Sequence, residues 1–125
     1  MTGKSAPERI GLFGGTFDPI HLGHLQIASQ LKKMLHLDEM RMVLAARPAL
    51  RSVPGATAQQ RWQMLQLAMQ AYPDLQSDDR EIRRRGVSYS YDTVAQLREE
   101  MGAHAVIALC IGWDSLVSLP SWHRW

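Results

Sequence analysis

Residues 9–24 constrain this chain more than any other stretch. A short apolar strand, Arg9 to Phe13, runs into Gly14 and Gly15, and a helix with apolar periodicity opens near His21. Between them lie Thr16, Phe17, Asp18 and Pro19, and two histidines, His21 and His24, stand three residues apart. This is the layout of an anion site at a strand–loop–helix junction. Glycines let backbone approach a phosphate closely, and a helix N-terminus offers unpaired N–H groups at the positive end of its dipole. The histidines can add cationic donors near neutral pH.

The rest of the chain continues the alternation. Leu25, Ala28, Leu31, Met34 and Leu35 recur at helical steps, predicting a helix over about 21–36. Met40 to Ala45 reads as a strand, and Arg47 to Gly55, with two prolines, as a loop. Thr57 is placed to cap a helix bearing Trp62, Leu65, Ala68 and Met69, which Pro73 ends. Asp74 to Gln76 is a short strand candidate, followed by a charge-rich loop over 78–86. Ser90 or Asp92 is expected to cap a third helix with Val94, Leu97 and Met101, stopping near Gly102. Ala105 to Ile111 is wholly apolar and reads as a strand buried on both faces. A last helix is expected over about 114–119. Strands alternating with helices predict one α/β domain over 1–125, an open, mainly parallel sheet with helices on both faces. Ligands bind such sheets beyond the carboxyl ends of the strands, where the 14–24 and 112–125 segments fall.

Composition narrows the class. With 46% hydrophobic and 21% charged residues over 125, the chain is that of a globular protein able to bury a core. A net charge of +2 is too mild to argue for a nucleic-acid partner. No run approaches the ~18–20 apolar residues that span a bilayer, and Met1 to Glu8 reads as a loose polar leader without a signal-peptide core, so the expected location is the cytoplasm. Cys110 is a single thiol in an apolar strand, which rules out an internal disulfide and reads as inert core. The junction departs from the Walker A and Gly-x-Gly-x-x-Gly patterns, and His21 and His24 lack companions for a metal site. Arg83 to Arg85 reads as a solvated loop, His36 and His104 as structural or surface residues, and Glu81 and Asp92 as organisers of the loop without assigned chemistry.

The string Gly-Gly-Thr-Phe-Asp-Pro-Ile-His-Leu-Gly-His over 14–24 resembles the signature of the nucleotidyltransferase superfamily with the His-x-Gly-His motif. Residues 80–93 and the Gly-Trp-Asp and Pro-Ser-Trp-His segments over 111–123 narrow the resemblance to bacterial nicotinate-nucleotide adenylyltransferases. The resemblance implies a Rossmann-like nucleotidyltransferase fold and adenylyl transfer from ATP to nicotinate mononucleotide, with Mg²⁺ carried on the ATP phosphates. It implies that Gly14, Gly15, Thr16, Phe17, His21, His24, Gly112 and Asp114 serve ATP, with His21 and His24 catalytic and made more cationic by nearby phosphate. Ser90 and Tyr89 would hold the mononucleotide, Trp122 would stack on its pyridine ring, and the backbone N–H groups of Trp122 and His123 would receive its carboxylate.

Two departures from that pattern stand out. Ala45 and Leu50 replace polar residues of the family's second loop, where Pro48 and Arg51 are retained, and the family's C-terminal Ser-Thr-x-x-Arg phosphate motif is absent. With three of four tryptophans in the last 13 residues, these features lead us to expect a C-terminally truncated chain. The alternatives are a related transferase with another phosphate acceptor and a non-catalytic nucleotide-binding remnant.

Overall fold

The computed structural model describes residues 8–48 and 54–124, with the side chains of Trp113 and Asp114 outside the description. Four strands, β1 (Arg9–Gly15), β2 (Glu39–Leu44), β3 (Gln76–Asp78) and β4 (Val106–Cys110), form one all-parallel sheet in the order β3-β2-β1-β4. Helices α1 (Leu22–Met34), α2 (Ala58–Met69), α3 (Arg80–Arg83), α4 (Ser90–Met101) and α5 (Trp113–Ser118) follow in chain order, and a 3-10 turn spans Leu119–Ser121. None of these helices is long and apolar enough to cross a membrane.

Alternation along the strands sorts the core into two layers. Met40, Met42 and Leu44 pack with Leu25 and Ala28 of α1 and with Leu65 and Met69 of α2. Ile10, Leu12 and Val43 point the other way and pack with Leu97 of α4. Each such side chain contributes about 1.5–3 kcal/mol on burial. The chain thus steps outward from β1 through β2 to β3 with its helices on one face, then returns across the other face to set β4 beside β1. That reversal makes the carboxyl ends of β1 and β4 a topological switch point, where the two connections leave in opposite directions.

Caps fix the helix starts. Thr57 accepts from the Gln60 N–H at 3.1 Å while the Gln60 side chain accepts from the Thr57 N–H at 3.0 Å, the reciprocal box expected of this spacing. The α4 start differs from expectation: Tyr89 occupies the cap position without a side-chain bond, Ser90 is the first helical residue, and Asp92 lies in the first turn. There its negative charge complements the helix dipole.

Three further expectations shift. β3 begins two residues later than predicted, because Asp74 is held by α1: Ser29 Oγ donates to its carboxylate at 2.6 Å and Lys32 Nζ to its carbonyl at 2.7 Å. The segment over 78–86 holds α3 instead of being all loop, since Asp78 and Arg80 are buried as a pair at 3.0 Å, with Arg41 also on Asp78 and Glu100 on Arg80. Arg80 holds the Asp78 carboxyl below the usual carboxylate range against the opposing effect of burial. β4 is not buried on both faces. It pairs with β1 alone among the described residues, leaving Val106 45% and Leu109 40% exposed.

Arg61 is the largest fully buried side chain, and it shares a helix stripe with Leu65 and Met69. Its guanidinium donates to Thr16 O and Ala45 O at 2.8 Å, Ala46 O at 2.9 Å and Ala56 O at 3.1 Å. Four carbonyls from three chain segments therefore depend on one group. Replacement Arg61→Ala is expected to lower stability by about 3 kcal/mol or more, because buried unpaired acceptors are costly. Arg61→Lys should recover only part of the loss, since one ammonium lacks the guanidinium's spread of donors. Urea unfolding midpoints check this, and an Arg61→Ala midpoint equal to wild type contradicts the clamp.

Candidate active site at the switch point

A cleft of about 730 Å³ opens at the carboxyl ends of β1 and β4. Its floor is Phe13 to Thr16 from the end of β1, with Cys110 to Gly112 from the end of β4. Ala45 and Pro48 contribute from beyond β2. One wall is Glu81 with Ser88 to Ser90, and the other is Ser115, Ser118, Ser121, Trp122 and His123. Cys110 is half-buried, packing against the core while bordering the cleft, and burial pushes its thiol up.

The two glycines act through their lack of a side chain. A Cβ on Gly14 would meet only the Val43 carbonyl at 3.9 Å, so backbone lies open to a ligand there. A Cβ on Gly15 would come within 2.8 Å of the Phe17 ring. That ring is turned into the core, 3% exposed, by a left-handed backbone at φ 51°. Phe17 therefore packs its side chain under the loop, in the core, and only its backbone is left to serve a ligand.

His21 and His24 form a reciprocal cap on α1. His21 Nδ1 accepts from the His24 N–H at 3.4 Å, and His24 Nδ1 accepts from the His21 N–H at 3.1 Å. The rings stack at 3.6 Å between centroids. An Nδ1 that accepts carries no proton, so each neutral ring keeps its N–H on Nε2. Burial, and secondarily the neighbouring His21, push the His24 pKa down. Without a phosphate beside it, His24 is thus held towards the neutral form, as a dipolar donor. The pair lies outside the cleft lining and borders it, with His24 edge-on to Phe13 at 6.3 Å.

The residues expected to take a mononucleotide converge on the opposite wall. Tyr89 packs against His123 with the rings tilted, 4.3 Å between centroids, and Trp122 and Ser90 line the same cleft. Tyr91 stands edge-on to His123, and the Arg124 guanidinium lies 4.2 Å over its ring, fastening the 122–124 segment to the start of α4. One detail departs from expectation. The Trp122 N–H donates to Leu119 O at 3.0 Å, closing the 3-10 turn, and so is already engaged. Gly112 lines the cleft at the start of α5, while the side chain of Asp114 and all of Leu50 and Arg51 lie outside the described residues.

Several residues at or near the site were given no chemistry from sequence. Glu81 is 7% exposed, accepts from the Thr93 hydroxyl, and lines the cleft; burial raises its pKa, opposed by that bond and by Arg84. Arg84 is no solvated residue: it donates to Thr93 Oγ1 at 3.2 Å and to Gln96 at 3.0 Å. Arg83 remains exposed, paired with Asp79. Arg47 ties the wall down through Gly86 O and Arg84 O, and its N–H donates to Ser88 Oγ at 3.2 Å. Asp18 accepts from the Gly55 and Ala56 N–H groups at 2.7 and 3.2 Å, joining the first loop to the α2 start. The signal for Arg61 was present in its four-residue spacing from Leu65 and Met69; the serines at 115, 118 and 121 repeat every three residues.

A family model described as cytidylyltransferase-like matches residues 12–125. A Cellvibrio japonicus protein named probable nicotinate-nucleotide adenylyltransferase is 51% identical over 93% of this chain and 55% of its own length. A Pseudomonas syringae protein of the same name is 44% identical over 95% of this chain and 54% of its own. The chain thus spans about half the length of the curated relatives it matches. Among solved structures, Plasmodium falciparum nicotinic acid mononucleotide adenylyltransferase complexed with NaAD superposes with a TM-score of 0.78 at 17% identity, over 94% of this chain and 58% of that one. The same parasite enzyme complexed with APC gives 0.75 at 16% identity, over 94% and 57%. At these identities the superpositions show a shared fold.

The histidine box has a pH signature. A His whose folded pKa is depressed contributes stability that is complete above the ordinary value of 6.5 and is lost as pH falls through the lowered folded value. NMR titration of the ligand-free protein is expected to place the His24 midpoint below 6.5. A midpoint above it contradicts the reciprocal cap.

Proposed function

The chain belongs to the cytidylyltransferase-like family, and on that premise we propose that its switch-point cleft transfers the adenylyl group of ATP to nicotinate mononucleotide, giving deamido-NAD and pyrophosphate. The observation that carries this reading is a juxtaposition. One cleft has the open Gly14 backbone at one side, with the α1 start bordering it, and an aromatic, hydroxyl-rich wall of Tyr89, Ser90 and Trp122 at the other. The first suits a polyphosphate, the second a flat ring with its ribose. The names of the curated relatives support the reading of the reaction.

The chemistry follows from positioning and charge. A phosphate oxygen of the mononucleotide attacks the α-phosphorus of ATP; the new P–O bond forms as the α–β bridging bond breaks, and its electron pair leaves on pyrophosphate. The attacking oxygen is already anionic at pH 7, so no strong base is needed, and catalysis rests on in-line alignment and stabilisation of developing charge. The Nε2–H groups of His21 and His24 and the α1 N-terminus supply that stabilisation beside the floor of Gly14 to Thr16. Mg²⁺ enters as part of the ATP substrate. Magnesium favours phosphate and water oxygens, which is how it would be carried here. Trp122 offers its indole to the pyridine ring, and of the two backbone groups expected to meet the carboxylate, the His123 N–H takes that part. Ser90 and Tyr89 hold the sugar side.

A pyrophosphate-release assay with ATP or CTP and a panel of phosphate acceptors tests the proposal. Release is expected with ATP and nicotinate mononucleotide, and His24→Ala should lower it by about 10²–10³-fold, the usual effect of losing one preorganised donor. Near-wild-type turnover of the variant, or preference for CTP or another acceptor, contradicts the assignment.

A further inference from the structure

The wall carrying Trp122 has a hydroxyl ladder whose purpose is visible in its direction. Ser121 Oγ donates to Ser118 O at 2.6 Å, and Ser118 Oγ donates to Ser115 O at 3.1 Å. A serine hydroxyl has one proton, so the Ser118 hydroxyl is committed as a donor and presents only lone pairs to its remaining neighbour. That neighbour is the Trp122 indole, whose Nε1–H donates to Ser118 Oγ at 3.1 Å. The indole has a single polar atom, and turning the ring over would strand it. Its backbone is fixed as well, through the N–H bond to Leu119 O. Trp122 is half-buried and borders the cleft together with Ser115, Ser118 and Ser121.

We infer that Ser118 is a positioning residue that locks the Trp122 indole in a fixed orientation at the cleft, and so sets affinity for the flat aromatic ring of the acceptor nucleotide. The inference rests on the reading of Trp122 as the ring's stacking platform. A platform held in one orientation before binding does not have to be ordered by the ligand, and that saving appears as affinity. Ser118 itself touches no substrate in this scheme; it acts through Trp122. Its effect is confined to ligands that carry the ring, a selectivity that a general folding role does not produce.

Calorimetric affinities for nicotinate mononucleotide and for ribose 5-phosphate, which lacks the ring, provide the test. They are measured for wild type, Ser118→Ala, Ser118→Thr, Trp122→Phe, Trp122→Ala and the Ser118→Ala/Trp122→Phe pair. Ser118→Ala is expected to weaken the mononucleotide by about three- to tenfold, the worth of one net hydrogen bond, and to leave ribose 5-phosphate unchanged. Ser118→Thr keeps the hydroxyl and should stay within about twofold of wild type. Phenylalanine has no N–H, so in the Trp122→Phe background Ser118→Ala should add nothing. The Trp122 indole N–H resonance should shift and lose exchange protection in Ser118→Ala without ligand. An unchanged mononucleotide affinity in Ser118→Ala, with Trp122→Ala weakened, overturns the inference and leaves the stacking reading standing. Equal losses for both ligands also overturn it, by showing a general structural role. An unchanged affinity in Trp122→Ala overturns the stacking reading and this inference with it.

Discussion

The Arg61 guanidinium joins three segments of the chain at the carboxyl end of β1. It is buried within α2, yet it donates to the carbonyl after β1, to two carbonyls after β2 and to one before its own helix. Charge-assisted bonds to carbonyls are worth about 1.5–3 kcal/mol each, and four of them offset the cost of burying the cation. Burial pushes the guanidinium down from its ordinary value, and the nearby Asp18 carboxylate opposes that push. Asp18 in turn holds the Gly55 and Ala56 N–H groups. The turn after β1 is thereby fixed to the end of β2 and to the start of α2, which gives Thr16 and the α1 N-terminus a rigid base beside the cleft.

On that base the histidine pair combines two tasks. Capping needs side-chain acceptors, and each ring supplies Nδ1. Because a neutral imidazole then carries its proton on Nε2, the same bond that starts the helix selects the tautomer that can donate to an anion. The fold and the proposed chemistry thus draw on opposite sides of the same rings. A charged pair stacked at 3.6 Å would repel itself and lose both caps, which is why burial and proximity hold His24 towards the neutral form.

Much of this was legible in the sequence because the signals were local. The strand and glycines over 9–15, the Thr57 box and the Gly102 stop follow from backbone and capping rules that act over a few residues. The segment over 78–86 was misread as all loop because its charges carry no apolar period. Asp78, Arg80 and Glu81 are buried by partners at positions 41, 93 and 100, which spacing along the chain cannot reveal. β4 was misread for the opposite reason: an all-apolar run says nothing about whether a second neighbour covers it. At the site, Tyr89, Ser90, Trp122 and His123 came from family resemblance, and the structure brings them to one cleft. The engagement of the Trp122 N–H and the placement of Phe17 in the core depend on three-dimensional packing and had no sequence signal.

The central claim is that the carboxyl ends of β1 and β4 form a nucleotide site whose two halves take phosphate and ring. Amide chemical-shift mapping during titration with nicotinate mononucleotide tests it most directly. Shifts are expected at Gly14 to Thr16 and at His24 on one side, and at Tyr89, Ser90, Trp122 and His123 on the other. Residues at the opposite strand ends, such as Arg98, Gly102 and His104, should stay unmoved. Shifts confined to those opposite ends, or no saturable shifts at the cleft, contradict the account.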